Sequence, residues 1–205
     1  MAADERRLQI LQVAVQLFSQ RGFGGTTTRE IAQAAGVSEA IIFRHFATKQ
    51  ELYKAILDYQ MCVGGESNKL TELAESFEQK DDYAIFNRLA RRAMAHHQEN
   101  EQFMRLLFYS ALEGHELSQM FFNDFVAEMY NALGSYIAAR QNEGAFRKDI
   151  EPRVVVRAFI GMLIHHSLNK LLWDKEQRLL KISDEEAADS FTKILLGGIK
   201  IKDEG

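Results

Sequence analysis

The chain has one proline, one cysteine and one tryptophan in 205 residues. So little proline, with no strand-like alternation between turn residues, excludes a β-rich fold and points to helices throughout. The single cysteine, Cys62, excludes an internal disulfide framework and any multi-cysteine zinc site. Without a resolving partner it reads as a packed thiol rather than a redox sensor. No apolar run reaches the ~18 residues of a membrane span. The opening MAADERR sets acid beside base with no apolar stretch behind it, so no secretory signal is expected. A cytoplasmic protein with no membrane partner is the expectation.

Basic excess is missing as well. There are 25 Lys and Arg against 29 Asp and Glu, a net charge of −4, which does not suit a protein that coats nucleic acid indiscriminately. Residues 1–52 hold six basic and five acidic side chains, leaving a near-neutral head on an acidic body. That permits a local phosphate contact without demonstrating one. What the chain does have is 46% hydrophobic and 26% charged residues, the composition of a globular domain rather than a disordered one.

Capping signals divide the chain. A first helix spans about 4–21, with Leu11, Ala14, Val15 and Phe18 on one stripe and Gly22 as its stop. Thr27 with Glu30 forms a capping box for a second helix ending at Ala35–Gly36. A third runs from Ser38 to about His45, and Thr48 with Glu51 opens a fourth, which Gly64–Gly65 weakens. Further helices are expected from Asp81–Asp82 to about Gln98, over 101–113 with a stop at Gly114, and from 116 to Gly144 as one long element. Pro152 stands where a first helical residue belongs and opens a helix to about Trp173. Ser183 with Glu186 caps a last helix to about Lys200. The fold class expected is all-α: a three-helix N-terminal domain over 1–52, then a helical domain over 53–205.

The two short helices around 27–35 and 38–45, joined by Ala35–Gly36–Val37, form a helix-turn-helix. Ile31, Ala35, Val37, Ile42 and Phe46 are positioned to lock the pair against Leu17 and Phe18. Arg29, Glu39, Ala40, Arg44 and His45 are left facing out. A capped helix start also presents backbone N–H groups where a phosphate fits, making Thr27 and Thr28 natural phosphate positions. Patterning alone leaves open a plain helical hairpin with a solvated face.

Residues 22–52, GFGGTTTREIAQAAGVSEAIIFRHFATKQEL, resemble the DNA-binding domain of the TetR/AcrR family of bacterial transcriptional regulators. The matching residues are GF at 22–23, TT at 27–28, Arg29, IA at 31–32, AGVS at 35–38, F-x-H-F at 43–46, Lys49 and EL at 51–52. The resemblance implies that the helix at 38–45 enters the major groove of double-stranded operator DNA. It further implies that Arg29, Glu39, Ala40 and Arg44 face base edges or backbone, and that Thr28, Ser38, His45 and Lys49 meet phosphates. Two positions depart from the family pattern. Phe43 stands where Tyr is usual and lacks the hydroxyl that bonds a phosphate. Ile41 replaces a small polar residue, leaving either a thymine-methyl contact or packing. Glu39 either accepts from cytosine N4 or solvates the helix start.

The family resemblance also implies an effector site and a dimer interface in the C-terminal part. Seven of the chain's 21 aromatic residues lie between Glu101 and Tyr130, interleaved with methionines. Adaptable apolar side chains suit a cavity for a small hydrophobic effector, and they equally suit an ordinary core. The candidate lining residues are Phe103, Met104, Phe108, Phe121 and Phe125, with His166 as a polar group. Ala158, Gly161, His165 and Leu168 share one face of the helix at 152–173, where small residues admit a close partner helix. With Phe191, Ile194, Leu195 and Gly198 of the last helix, the resemblance implies a four-helix homodimer interface. The pairs His96–His97 and His165–His166 diverge by about 100° on a helix, so a shared metal is awkward. No cofactor or metal is expected. No nucleophile–histidine–acid constellation or phosphate loop appears, so an enzyme is not expected. The reading is a ligand-responsive repressor, with an activator or a regulator lacking ligand response as the alternative.

Overall fold

The computed structural model describes residues 3–63 and 75–201. The Cys62 side chain and the Gly64–Gly65 pair fall outside the described positions. The helices are α1 (Ala3–Arg21), α2 (Thr28–Ala34), α3 (Glu39–His45), α4 (Lys49–Val63), α5 (Asp82–Glu99), α6 (Glu101–Leu112), α7 (Glu116–Phe121), α8 (Ala127–Asn142), α9 (Pro152–Leu168) and α10 (Asp184–Ile199). Among the described residues the only strand-like pairing is a single bridge between Phe146 and Lys200.

The long helix expected over 116–144 is interrupted. A π-helical turn, Phe122–Val126, separates α7 from α8. A second, Asn169–Trp173, ends α9 five residues early. A wider turn inserts a residue without breaking the helical pattern, which leaves the sequence periodicity almost unmarked.

Two compact units result. The first combines residues 1–65 with 100–124, and so reaches well past residue 52. Its core joins Ile10, Leu11, Ala14 and Phe18 of α1 to Ile31 of α2, Ile42 of α3 and Leu52, Tyr53 and Ile56 of α4. Phe103, Leu106 and Leu107 of α6 complete the same cluster. At ~1.5–3 kcal/mol for each large side chain fully buried, α6 supplies a substantial part of what holds this unit together.

The second unit comprises residues 66–99 and 125–205. Phe86 and Ala90 of α5, Ile137 of α8, Val156 and Phe159 of α9 and Ala187 and Ala188 of α10 meet in its core. Phe86 and Phe159 pack edge to face at 5.2 Å. The helix starts are capped as their sequences indicate. Asp81 accepts from Ala84 N at 2.9 Å, and Glu151 from Val154 N at 2.9 Å ahead of Pro152. Ser183 and Glu186 form a reciprocal box.

Asp82 takes a different role from the capping one expected of it. Its side chain, 2% exposed, receives Arg140 Nε at 2.9 Å, Arg140 Nη2 at 3.1 Å and the Tyr136 hydroxyl at 2.7 Å. Lys200 Nζ stands 3.3 Å away. Burial pushes this carboxyl up, but the bonds from Arg140 and Tyr136 outweigh it and hold it below its usual range.

Candidate nucleic-acid interface

The helix-turn-helix is assembled by local chemistry. Thr27 Oγ1 accepts from Glu30 N at 3.2 Å while Thr27 N donates to Glu30 Oε2 at 2.8 Å, closing the capping box. At the other end of α2, Gly36 N donates to Gln33 O at 3.2 Å and Val37 N to Ala32 O at 2.9 Å. This is the Schellman arrangement, and it requires the left-handed φ of +64° that Gly36 adopts. Ile42 and Phe46 are then 1% exposed, which fixes the roll of α3 and turns its other face outward.

On that outward face the structure exposes Arg29, Ser38, Ala40, Phe43 and Arg44. Ser38 makes no side-chain capping bond, so its hydroxyl is not spent on the helix. Phe43 is 46% exposed, and the apolar ring is not needed for the core. Ile41 packs partly against the core cluster, the second of its two alternatives. Thr28 and Glu39, both expected to meet DNA, meet one another: the Thr28 hydroxyl donates to the Glu39 carboxylate. That bond ties the start of α2 to the start of α3. Thr27 is similarly occupied, donating its hydroxyl to Glu30 at 2.9 Å.

His45 and Lys49 sit less openly. His45 is half-buried, and its Nε2 is enclosed without a hydrogen-bond partner. With Arg44 it borders a shallow hollow that Arg6 also lines. The Lys49 ammonium donates to the Phe23 carbonyl and stands 3.9 Å from the centre of the Phe23 ring. Burial lowers its pKa, opposed by the nearby Glu113 and Glu30 carboxylates. Glu113 accepts from Phe23 N at 3.2 Å, and His115 packs its ring 4.0 Å from that of Phe23. Arg6, Glu113 and His115 were beyond sequence reasoning. Glu113 is 90 residues from Phe23, and nothing local marks the pairing.

The expected effector residues are divided between the units. Phe103 (1% exposed) is in the first unit's core, Met104 is buried on the same helix (7%), and Phe121 packs edge-on to Phe103 at 6.1 Å. Phe108 is half-buried in the same unit, whereas Phe125 and His166 belong to the second. His166 Nε2 lies 3.2 Å from Asp184 Oδ1, to which Lys170 Nζ also donates at 2.6 Å. Beside this cluster is a cavity of about 330 Å³.

Of the expected dimer residues, Ala158, Gly161, His165, Ile194 and Gly198 are exposed, and Leu168 and Phe191 are half-buried. Leu195 is the exception. It is 5% exposed and lies in the second unit's own core, so it is not part of the outward face. Adjacent helical residues point about 100° apart, which puts Ile194 out and Leu195 in.

A capped short helix, a glycine turn and a second short helix with a polar outer face define a helix-turn-helix unit, followed by a C-terminal part that is helical among the described residues. Comparison with known proteins agrees. Residues 10–56 match the family described as bacterial regulatory proteins, tetR family. The HTH-type transcriptional repressor Rv3405c of Mycobacterium tuberculosis is 34% identical over 133 residues, covering 63% of this chain and 60% of that protein. The chain thus spans about 60% of the length of that relative. NalD, the secondary repressor of the MexAB-OprM multidrug efflux pump in Pseudomonas aeruginosa, shares the fold with a TM-score of 0.72 at 22% identity over 100% of both chains. AibR, solved with isovaleryl coenzyme A and operator DNA, gives a TM-score of 0.68 at 23% identity over 94% of this chain and 99% of that one. Over residues 10–56 the chain thus carries the DNA-binding domain of the tetR family of bacterial regulatory proteins, and its overall fold is that of these regulators.

Proposed function

We propose that the protein is a homodimeric repressor that leaves its operator when a small, mainly apolar effector binds. The observation that carries the DNA half is α3. Its roll is fixed by Ile42 and Phe46, so that Ala40, Phe43 and Arg44 face away from the core. Arg44, with Arg29 at the start of α2, supplies base-edge donors. Ser38, His45 and the residues around Thr28 position the backbone. Residues 1–52 hold the DNA contacts, and 53–205 hold the effector and dimer functions.

A dimer is required because one seven-residue helix reads too few bases; two-fold symmetric reading needs half-sites ~34–36 Å apart. The exposed Ala158, Gly161 and Gly198 allow helices of two copies to approach closely, with Ile194 at 62% exposure as the apolar contact. Effector response fits a protein whose fold relatives include one crystallised with both an acyl coenzyme A and its operator. The mechanism is a population shift: the effector stabilises a dimer in which the two α3 helices no longer match successive major grooves.

Footprinting of the full-length protein on DNA flanking its own coding region tests the reading. Protection of a palindromic site, lost on adding an apolar compound, is the expected result. Arg44→Ala should weaken that site by ~1–3 kcal/mol and relax one base position. Unchanged affinity in Arg44→Ala would place α3 elsewhere than in the groove.

A further inference from the structure

The geometry points to an effector site at the C-terminal end of α9, shaped for uncharged, mainly apolar molecules that carry one acceptor oxygen such as a ketone. This rests on the ligand-responsive reading above and supplies the place and chemistry that the reading leaves open. It departs from the aromatic cluster at 101–130, whose Phe103 and Met104 are committed to packing.

The cavity has a volume of about 330 Å³, within the range of small-ligand pockets. Met162 of α9, Leu179 and Leu180 of the following loop and Phe191 of α10 give it apolar walls. One side is polar. Lys170 and the 8%-exposed His166 line it, both held by the Asp184 carboxylate at 2.6 and 3.2 Å. The ammonium has three N–H groups and a single hydrogen bond, to Asp184, accounts for one of them, so it can meet an acceptor in the cavity. Its charge is already balanced by Asp184. A carboxylate ligand would bring a second negative charge beside Asp184 with no further cation to balance it, whereas a neutral carbonyl adds a bond without adding a charge to desolvate.

Two local irregularities converge on this spot. The π turn at Asn169–Trp173 carries Asn169 and Lys170 into the wall. Gln177, also a lining residue, holds a left-handed φ of +51° without being glycine. Asp174 enforces that turn by accepting from Arg178 N at 2.8 Å and Leu179 N at 2.9 Å. Costly backbone of this kind persists where the surroundings impose it, and it gathers at binding sites. Here it presents Leu179 and Leu180 to the cavity although they are 86% and 56% exposed, an unfavourable placement for leucines with nothing to cover.

The sole tryptophan, Trp173, ends the π turn with its ring 6.2 Å from that of His165, which lines the cavity. Its fluorescence therefore reports on the site in the full-length protein. The probes are cyclooctanone, cyclododecanone and, as the charged control, cyclooctanecarboxylate. Saturable change with the ketones and none with the carboxylate is expected. Lys170→Met, which keeps the stem and removes the donor, should weaken ketone binding about tenfold, the worth of one hydrogen bond to a charged group. Leu180→Asp should weaken it further, and this exposed position leaves the folding core untouched. Failure of both ketones to bind, tighter binding of the carboxylate, or equal ketone affinity in all variants overturns the proposal. So does ketone affinity that falls as protein concentration rises, because a second copy would then fill the cavity. Operator release is read separately. Ketones that bind as described but leave the operator occupied refute the effector reading and not the site. Ketones that release it equally from Leu180→Asp leave that reading standing and refute the site.

Discussion

Single residues decide how α3 meets a ligand. Phe43 is the clearest case: its ring is 46% exposed and outside the core, so adding a hydroxyl disturbs no packing. Phe43→Tyr should tighten binding by ~1 kcal/mol, the net value of one hydrogen bond, and equally on operator and unrelated DNA. A gain confined to the operator would assign Phe43 to base reading. Lys49 is the opposite case. The family resemblance implies a phosphate contact, yet its ammonium rests on the Phe23 carbonyl and ring. Lys49→Ala should therefore destabilise the protein by ~1–2 kcal/mol, the range of a partly desolvated cation–π contact. Differential scanning calorimetry without DNA checks it. An unchanged melt, with the salt dependence of DNA binding reduced by about one ion, would mean the ammonium leaves Phe23 for a phosphate.

At the scale of elements, two titrating groups in the second unit act over separate pH windows. Burial pushes the His97 imidazole down to about 4, with His96 adding repulsion, and Nδ1 lies 2.8 Å from Ser167 Oγ. An unfolded histidine titrates near ~6.5, so between these values the unfolded chain binds a proton that the fold refuses. Stability is thus full above about 6.5 and declines as pH falls toward 4, by on the order of 3 kcal/mol. Urea unfolding of His97→Gln across that range should show a flatter slope. Asp82 works lower. Its depressed carboxyl stabilises above the ordinary aspartate value of ~3.9 and loses that contribution as pH falls through its own. Asp82→Ala leaves Arg140 with Glu143 as its remaining carboxylate and the Tyr136 hydroxyl without its acceptor, and should cost about 2–4 kcal/mol at neutral pH in the same assay.

These elements also mark how far the sequence was legible. Reciprocal boxes at Thr27/Glu30 and Ser183/Glu186 are local chemistry and could be read directly. The one at Thr48 was half right. Thr48 accepts from Glu51 N at 3.0 Å, but Glu51 reaches back to Ala47 N at 2.8 Å. Asp82 was beyond reach, since its partners Tyr136 and Arg140 are 54 and 58 residues away. The two π turns were beyond reach for another reason: one inserted residue shifts the helical phase without a proline or glycine to announce it. Among the site residues, the exposed row on α3 followed from the apolar positions that pin it. Thr28 with Glu39 and Lys49 with Phe23 did not, because side-chain partners across a turn are decided by geometry that composition does not encode.

For the whole molecule, the informative feature is that the first unit is discontinuous. Residues 100–124 close a core begun by α1 to α4, with Phe103 and Leu106 at 1% and 0% exposure. Cutting the chain after residue 65 should leave that face bare, so the fragment 1–65 is expected to bind a hydrophobic dye and melt without a cooperative transition. Far-UV circular dichroism and dye fluorescence measure this; a sharply melting fragment would show that α1 to α4 suffice. During synthesis the consequence is temporal. The ribosome has finished α1 to α4 long before it reaches Phe103, and the growing chain must carry them in an open state until α6 emerges. If the proposed function holds, competence to bind an operator arrives only after α6 has emerged, so a translation product abandoned earlier would not occupy sites meant for the finished protein.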